Sequence, residues 1–122
     1  MKEVIILKAN SVEKIETKWG NLTWYASKKL GNSTKMTTGT CVIKPGRENP
    51  FHKHSNCYEV LTVIKGEILH YLDGQKAIKM KPGDTISIPP NLAHKAKNTG
   101  KSNAIMFIAF NSGKRKMEII SN

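Results

Sequence analysis

The chain has 122 residues, of which 39% are hydrophobic, and a net charge of +11 at pH 7. This length predicts one domain over residues 1–122, with a core large enough to fold without disulfides or structural metal ions. No stretch reaches the roughly 20 apolar residues of a membrane-spanning helix, and the apolar run at residues 4–7 is too short for a signal peptide. We therefore expect a cytoplasmic protein with no membrane partner.

The positive charge comes almost entirely from lysine, because Arg47 and Arg115 are the only arginines among the 20 basic residues. Arginine is the usual bidentate reader of bases and phosphates, and a single-strand binder would also interleave aromatic residues with its charges. No such interleaving occurs, so the lysines predict a solvated surface and no nucleic-acid partner. A positive field also suits a small acidic substrate.

Short apolar alternations recur along the chain, separated by Gly, Pro, Asn and Asp, and no segment has a convincing helical period. This pattern is typical of an all-β sandwich or barrel. Residues 12–18 accommodate a turn at most, and further turns are predicted at 44–46, 73–74, 81–83 and 98–100. The predicted strands are 4–7, 22–26, 36–43, 59–64, 67–72, 76–80, 85–88, 94–98 and 104–110.

Three histidines and one glutamate lie in two short blocks of the sequence. Residues 46–66 contain His52, His54 and Glu59, and residues 83–98 contain His94. Three imidazoles and a carboxylate are ligands that suit a divalent first-row transition metal. These four side chains therefore predict a metal site.

The two blocks resemble the two motifs of the cupin superfamily. The first motif reads G-x5-H-x-H-x4-E-x6-G, and its fixed positions are matched by Gly46, His52, His54, Glu59 and Gly66. The second motif reads G-x5-P-x-G-x2-H-x3-N, and the positions that match it are Gly83, Pro89, His94 and Asn98. Asn91 replaces the internal glycine. Asparagine is the residue that best tolerates a left-handed turn after glycine, so the replacement fits such a turn.

The resemblance implies a single-domain cupin-type β-barrel, a double-stranded β-helix or jelly roll, that contains one metal ion beside a buried pocket. It also implies a homodimer. Two histidines and a carboxylate with open positions favour Fe(II), and a third histidine leaves about two octahedral positions free. Mn, Ni, Co, Cu and Zn stay possible, because affinity alone does not select among them.

The spacing of the four predicted ligands requires a change of direction in the chain. His52 and His54 are two residues apart, so both side chains can point to one face of a strand. Glu59 lies five residues after His54, an odd offset that a straight strand would direct to the opposite face. We therefore predict a turn or bulge near Ser55 and Asn56. His94 begins a later strand and reaches the site if the chain folds back.

His70 is a further candidate, on the basis of a predicted hairpin. If Lys65 and Gly66 are the two loop residues of a tight turn, His70 lies opposite Leu61 and shares the face of Glu59. His70 would then serve as a pocket base, a substrate contact or a hydrogen-bond partner of Glu59. A longer turn would shift the register and place His70 outside.

Other residues have a plain interpretation beside a functional one. Arg47 could bind a substrate carboxylate through its fork, although an arginine in a loop is more often solvated. Cys41 and Cys57 form no CxxC motif and are expected as free thiols; Cys57 lies near the metal or is a small buried apolar residue. Three aromatic residues could cover a barrel mouth or an interface, although core or edge packing is the plainer interpretation: Trp19, Trp24 and Tyr25.

The sequence favours an enzyme that acts on a small oxygenated or acidic molecule. A metal with free positions favours a dioxygenase. A lyase or isomerase in which His70 moves a proton is the alternative enzyme class. A non-catalytic small-ligand sensor is the third reading, although a sensor would usually carry a DNA-binding partner domain.

Overall fold

The computed structural model describes residues 3–121, so residues 1, 2 and 122 of the predicted domain lie outside the described part. One short 3-10 turn, Ala9–Ser11, precedes the strands. Within residues 3–121 no helix has the length and apolar character needed to cross a membrane. The strands are β1 Glu13–Glu16, β2 Gly20–Ala26, β3 Thr37–Ile43, β4 Phe51–Lys53, β5 Glu59–Lys65, β6 Ile68–Leu72, β7 Ile78–Met80, β8 Thr85–Ile88, β9 His94–Asn98, β10 Ala104–Phe110 and β11 Glu118–Ser121.

The strands form two antiparallel sheets, which confirms the predicted all-β class. The larger sheet has the order β1-β2-β3-β10-β5-β8, and the smaller has the order β11-β4-β9-β6-β7. Neighbours in each sheet are seldom neighbours in sequence, so the chain passes repeatedly from one sheet to the other. This is the arrangement expected of the predicted double-stranded barrel.

Period-two alternation of burial shows which face of each strand is inside. Along β3 and β10 of the larger sheet and along β6 and β9 of the smaller, every second residue is buried and the residues between them are more exposed. Side chains of a strand point alternately to its two faces, so the buried sets of both sheets meet in one interior. Five apolar residues of this interior are fully buried, with an exposed fraction of 0%: Ile43, Val63, Ile68, Ala104 and Met106.

Three differences from the predicted elements arise at the chain ends and at short strands. Residues 4–7 are not a strand, and Val4 is 91% exposed, because no neighbouring strand covers this apolar run. Residues 12–18 contain β1, which pairs with β2 through four partner pairs. The short strands β4 and β11 pair with each other. By contrast, β8, β9 and β10 have the predicted bounds.

The predicted hairpin around Lys65 and Gly66 is wrong. β5 belongs to the larger sheet and β6 to the smaller, so the two strands are not partners. Gly66 instead turns the chain between sheets with a φ of 81°, and an added Cβ would lie 3.0 Å from the Ala104 Cα. The corner therefore needs glycine both for its left-handed backbone and for its close approach to β10.

Candidate metal centre

The structure brings His52, His54, Glu59 and His94 together inside the barrel. His52 lies on β4 and is the direct cross-strand partner of His94 on β9. After β4, residues 55 and 56 form a bend, and the chain then enters the opposite sheet at Glu59, the first residue of β5. One ligand atom from each of the four residues lies within 4.8 Å of the others, and all four residues are buried. The predicted turn thus directs Glu59 inward by changing sheets.

Each of the three imidazoles is fixed by a backbone carbonyl. Nδ1 of His52 donates to the Pro50 carbonyl at 2.7 Å, and Nδ1 of His94 donates to the Leu92 carbonyl at 2.9 Å. Nδ1 of His54 donates to the Lys116 carbonyl at 2.9 Å. A carbonyl only accepts, so each Nδ1 carries a proton and each Nε2 is the nitrogen left for a ligand. This is the arrangement that orients histidines for metal binding.

The carboxylate lies against two of these Nε2 atoms. Glu59 Oε1 is 3.0 Å from His94 Nε2 and 3.3 Å from His54 Nε2. Burial alone would raise the pKa of Glu59, but the His54 and His94 imidazoles beside it lower that pKa well below its usual range. Burial opposes the charged form of His94, yet the bond to Glu59 raises the pKa of this imidazole.

Two further observations fit a cation at this point. Among residues 3–121, His54 Nε2 is buried and has no hydrogen-bond partner. Burial, and next the charge of His94, lowers the pKa of His52 to about 4, so its lone pair is free at neutral pH. A divalent cation satisfies an unpartnered imidazole nitrogen and a buried carboxylate together. The donor set therefore fits a divalent transition metal.

Asn91 explains how the second motif tolerates the loss of its glycine. Its φ is 68°, in the left-handed region, as the sequence predicted. The Asn91 backbone N–H donates to the His54 carbonyl at 2.8 Å. The turn therefore anchors the loop before β9 to the end of β4, and so links the two motif blocks.

His70 is inside the barrel, but a different strand places it there. β6 pairs with β9, where His70 faces Ala96 and Leu72 faces His94. The His70 ring stacks on that of His94, with centroids 5.7 Å apart and an interplanar angle of 15°. Within residues 3–121 the His70 Nδ1 has no hydrogen-bond partner, and His70 makes no hydrogen bond to Glu59. Burial, with a smaller contribution from His94, lowers the pKa of His70 to about 4.

The two arginines lie in different environments. Arg47 is exposed on the turn before β4 and is absent from the lining of the cavity beside the histidines. Arg115, to which the sequence pattern gave no role, lines that cavity. Arg115 belongs to no motif. The feature of the sequence that could have drawn attention to it is that it is one of two arginines in a lysine-rich chain.

The other candidates follow their plainer interpretations. Cys57 is buried in the core cluster, and burial raises the pKa of its thiol. Both cysteines are free. Trp24 is buried, Trp19 is half-buried, and both line the cavity, whereas Tyr25 is 40% exposed.

The four candidate ligands open onto a cavity of about 330 Å³. Apolar side chains dominate its wall, among them Leu61, Ala96 and Phe110, and His70 also faces it. This volume is at the lower end of the roughly 300–1,000 Å³ found for small-molecule sites. The arrangement can therefore enclose a small polar ligand beside a metal ion and keep most water away.

Comparison with known proteins gives a consistent family. The family model described as "Cupin domain" matches residues 39–110. A germin-like protein of Morus alba is 35% identical over 82 residues, which cover 64% of this chain and 39% of the relative. Oxalate oxidase 1 of Hordeum vulgare is 41% identical over 96 residues, which cover 73% of this chain and 46% of the enzyme.

A solved structure of Bacillus subtilis oxalate decarboxylase, an enzyme with Mn(II) centres, superposes with a TM-score of 0.81. The alignment covers 88% of this chain and 30% of the enzyme at 20% identity, so it establishes likeness of fold. The chain spans about half, or less, of the length of the curated relatives it matches.

Proposed function

This chain belongs to the cupin family, and from that premise we propose that it is a metal-dependent enzyme acting on a small oxygenated or acidic molecule. A dioxygenase is the favoured class. The observation that carries the proposal is the convergence of three carbonyl-anchored imidazoles and one carboxylate on one buried point. Such a set, open to a cavity, is suited to chemistry more than to a structural metal, which is usually enclosed by protein ligands.

His52, His54, Glu59 and His94 would hold the metal, which when bound would act as a Lewis acid on substrate oxygens. The sequence favours Fe(II). The Mn(II) centres of oxalate decarboxylase make Mn(II) an equal candidate here. The oxalate oxidases and oxalate decarboxylase among the relatives make oxalate the first substrate to test.

The chain's own residues supply three further requirements of catalysis. The backbone carbonyls hold the imidazoles in one orientation, so little reorganisation is needed when a ligand enters. Phe110 packs against His54 with ring centroids 4.9 Å apart and excludes water from that side. His70, neutral at pH 7 and with an unpartnered Nδ1, can accept a proton from a substrate in the cavity.

A lyase or isomerase is the second candidate, and His70 is the observation that favours it. These reactions need a group that moves a proton beside the metal-bound oxygens of the substrate, and a neutral histidine in the same cavity meets this need. The homodimer and the cytoplasmic location stay predictions, to be tested by light scattering after gel filtration and by cell fractionation.

The proposal is tested by metal analysis followed by a substrate screen. Protein is loaded with Mn(II) or Fe(II), freed of excess metal and offered oxalate and other small acids in air and under nitrogen. Oxygen uptake and carbon dioxide release are recorded. We expect turnover that requires the metal, with oxygen uptake for a dioxygenase and none for a lyase. Absence of bound metal would contradict the proposal, and stoichiometric metal without turnover would favour a non-catalytic small-ligand sensor.

A further inference from the structure

Arg115 lies on the wall between two cavities. It lines the cavity of the metal centre, and it also lines an outer groove of about 550 Å³. Trp24 and Met117 are likewise shared by both linings. A ligand that passes from the groove toward the histidines therefore meets this guanidinium.

The guanidinium lies over aromatic rings, and the charge of Glu59 acts on it without a direct ion pair in the described part of the chain. Its carbon lies 4.4 Å from the Trp24 ring centroid and 5.2 Å from that of Phe110. Among residues 3–121, the ion pairs and side-chain hydrogen bonds include none to this group. A partly buried charge without a directly paired counter-ion is costly, because the protein replaces only part of its hydration. An anionic ligand would remove that cost.

The backbone around Arg115 is tied to the metal centre. The Asn56 side-chain amide donates to the Lys114 carbonyl at 2.9 Å, and its oxygen accepts from the Lys116 N–H at 2.8 Å. His54 Nδ1 donates to the Lys116 carbonyl. These bonds flank Arg115 on both sides, so the arginine has a fixed position relative to a candidate metal ligand. Fixed donors favour recognition over adventitious surface attraction.

The outer groove carries an excess of positive charge. Lys28, Lys29 and Lys114 line it with Arg115, and Glu13 is the acidic residue of its lining. Glu13 is already ion-paired with Lys29. A cleft lined by one sign of charge raises the local concentration of oppositely charged ligands. The groove therefore favours entry of anions.

We propose that Arg115 is the specificity-determining residue of this cavity, and that the substrate is a small carboxylate held by its guanidinium fork. The inference rests on the proposed function, because a second oxygen of the same carboxylate substrate would face the metal centre. Arginine suits this role because its fork donates two parallel hydrogen bonds to a carboxylate. Phe110 contacts both Arg115 and His54, so one ring separates the acid-binding end from the metal end.

The chain offers a matched control, because its other arginine, Arg47, is exposed and outside the cavity lining. Arg115→Gln and Arg47→Gln remove the same charge. Each protein is first titrated with Mn(II) alone, which tests the proposed function. After excess metal is removed, oxalate, glycolate and the neutral glycolamide are titrated by calorimetry. The same three titrations are repeated on metal-free protein.

We expect Arg115→Gln to keep Mn(II) binding and to weaken oxalate and glycolate by about tenfold or more, the loss of a charge-assisted pair. Glycolamide should be unaffected, and Arg47→Gln should resemble the wild type. If Arg115→Gln does not fold, Arg115→Lys decides, since it keeps the charge but loses the fork and should also weaken both acids.

Equal acid affinity in wild type and the Arg115 variant would overturn the inference, and so would an equal loss in Arg47→Gln. A wild-type protein that binds neither acid, with or without Mn(II), would also overturn it. If the protein binds no Mn(II) but the metal-free protein still binds the acids in a way that requires Arg115, the proposed metal site is wrong and this inference is retained.

Discussion

The barrel interior has an apolar region and a polar region, and the same strands supply both. β5 contributes Val63 to the first and Glu59 to the second, and β6 contributes Ile68 and His70 in the same way. Ile43 and Ala104 are opposite each other in the apolar region and are fully buried. One alternating pattern therefore serves stability at one end of a strand and chemistry at the other.

The two regions differ in their energetics. Burial of a side chain such as Ile68 contributes about 1.5–3 kcal/mol to stability. In the polar region, burial of an imidazole or a carboxylate is unfavourable unless it is hydrogen-bonded. The carbonyl bonds of His52, His54 and His94 offset this cost and use only Nδ1, so each Nε2 is left for a ligand. The polar region therefore contributes less to stability than the apolar region, but it provides a binding site.

The largest expected effect is loss of metal from a His52→Ala/His54→Ala variant. The variant lacks two of four converging ligands, so we expect bound metal to fall from near one equivalent to near none by elemental analysis. Ile68→Ala is the control from the apolar region and should keep its metal. Equal metal content in the double variant and the wild type would end the assignment of these ligands.

The next effect concerns His70→Gln, on the same strand as Ile68. Loss of a proton acceptor should lower turnover about 10²–10⁴-fold, the usual contribution of general acid–base catalysis. Metal content and the thermal transition should stay close to those of the wild type, because His70 is not among the four clustered ligands. Unchanged turnover with the active substrate would leave His70 a packing role.

Ile68→Ala should act in the opposite way. Removal of a fully buried isoleucine creates a cavity and should lower the free energy of unfolding by about 2–5 kcal/mol, measured by urea denaturation. The loss is large beside the roughly 5–15 kcal/mol of a typical domain. Turnover per folded molecule should be unchanged. A similar loss of turnover in both β6 variants would mean that the two regions are not separable.

The smallest effect is that of metal removal on folding. The apolar region is complete without the metal, so chelated protein should keep a cooperative thermal transition. Its midpoint should be lower, because binding stabilises the native state by about 2.7 kcal/mol when free metal is at 100 times its Kd. A scan without any cooperative transition after chelation would show that the metal is structural.

The sequence by itself determined the all-β class, the cupin resemblance and the bounds of β8, β9 and β10. It also determined the left-handed turn at Asn91. These features depend on local properties: strand periodicity, turn chemistry and the spacing of residues within one segment. The chain departs from the second motif at Asn91, and the departure is accommodated because asparagine tolerates the backbone angle that the position requires.

Only the tertiary structure decided which strands are partners. The sequence placed His70 inside through a β5–β6 hairpin that does not exist, whereas pairing of β6 with β9 is what directs it inward. Arg115 lines the cavity because its two neighbours, Lys114 and Lys116, are bonded through their backbone to Asn56, which lies 60 residues before Lys116. Neither arrangement leaves a local signal, because closure of a barrel joins segments that are far apart in sequence and whose own patterns are compatible with several partners.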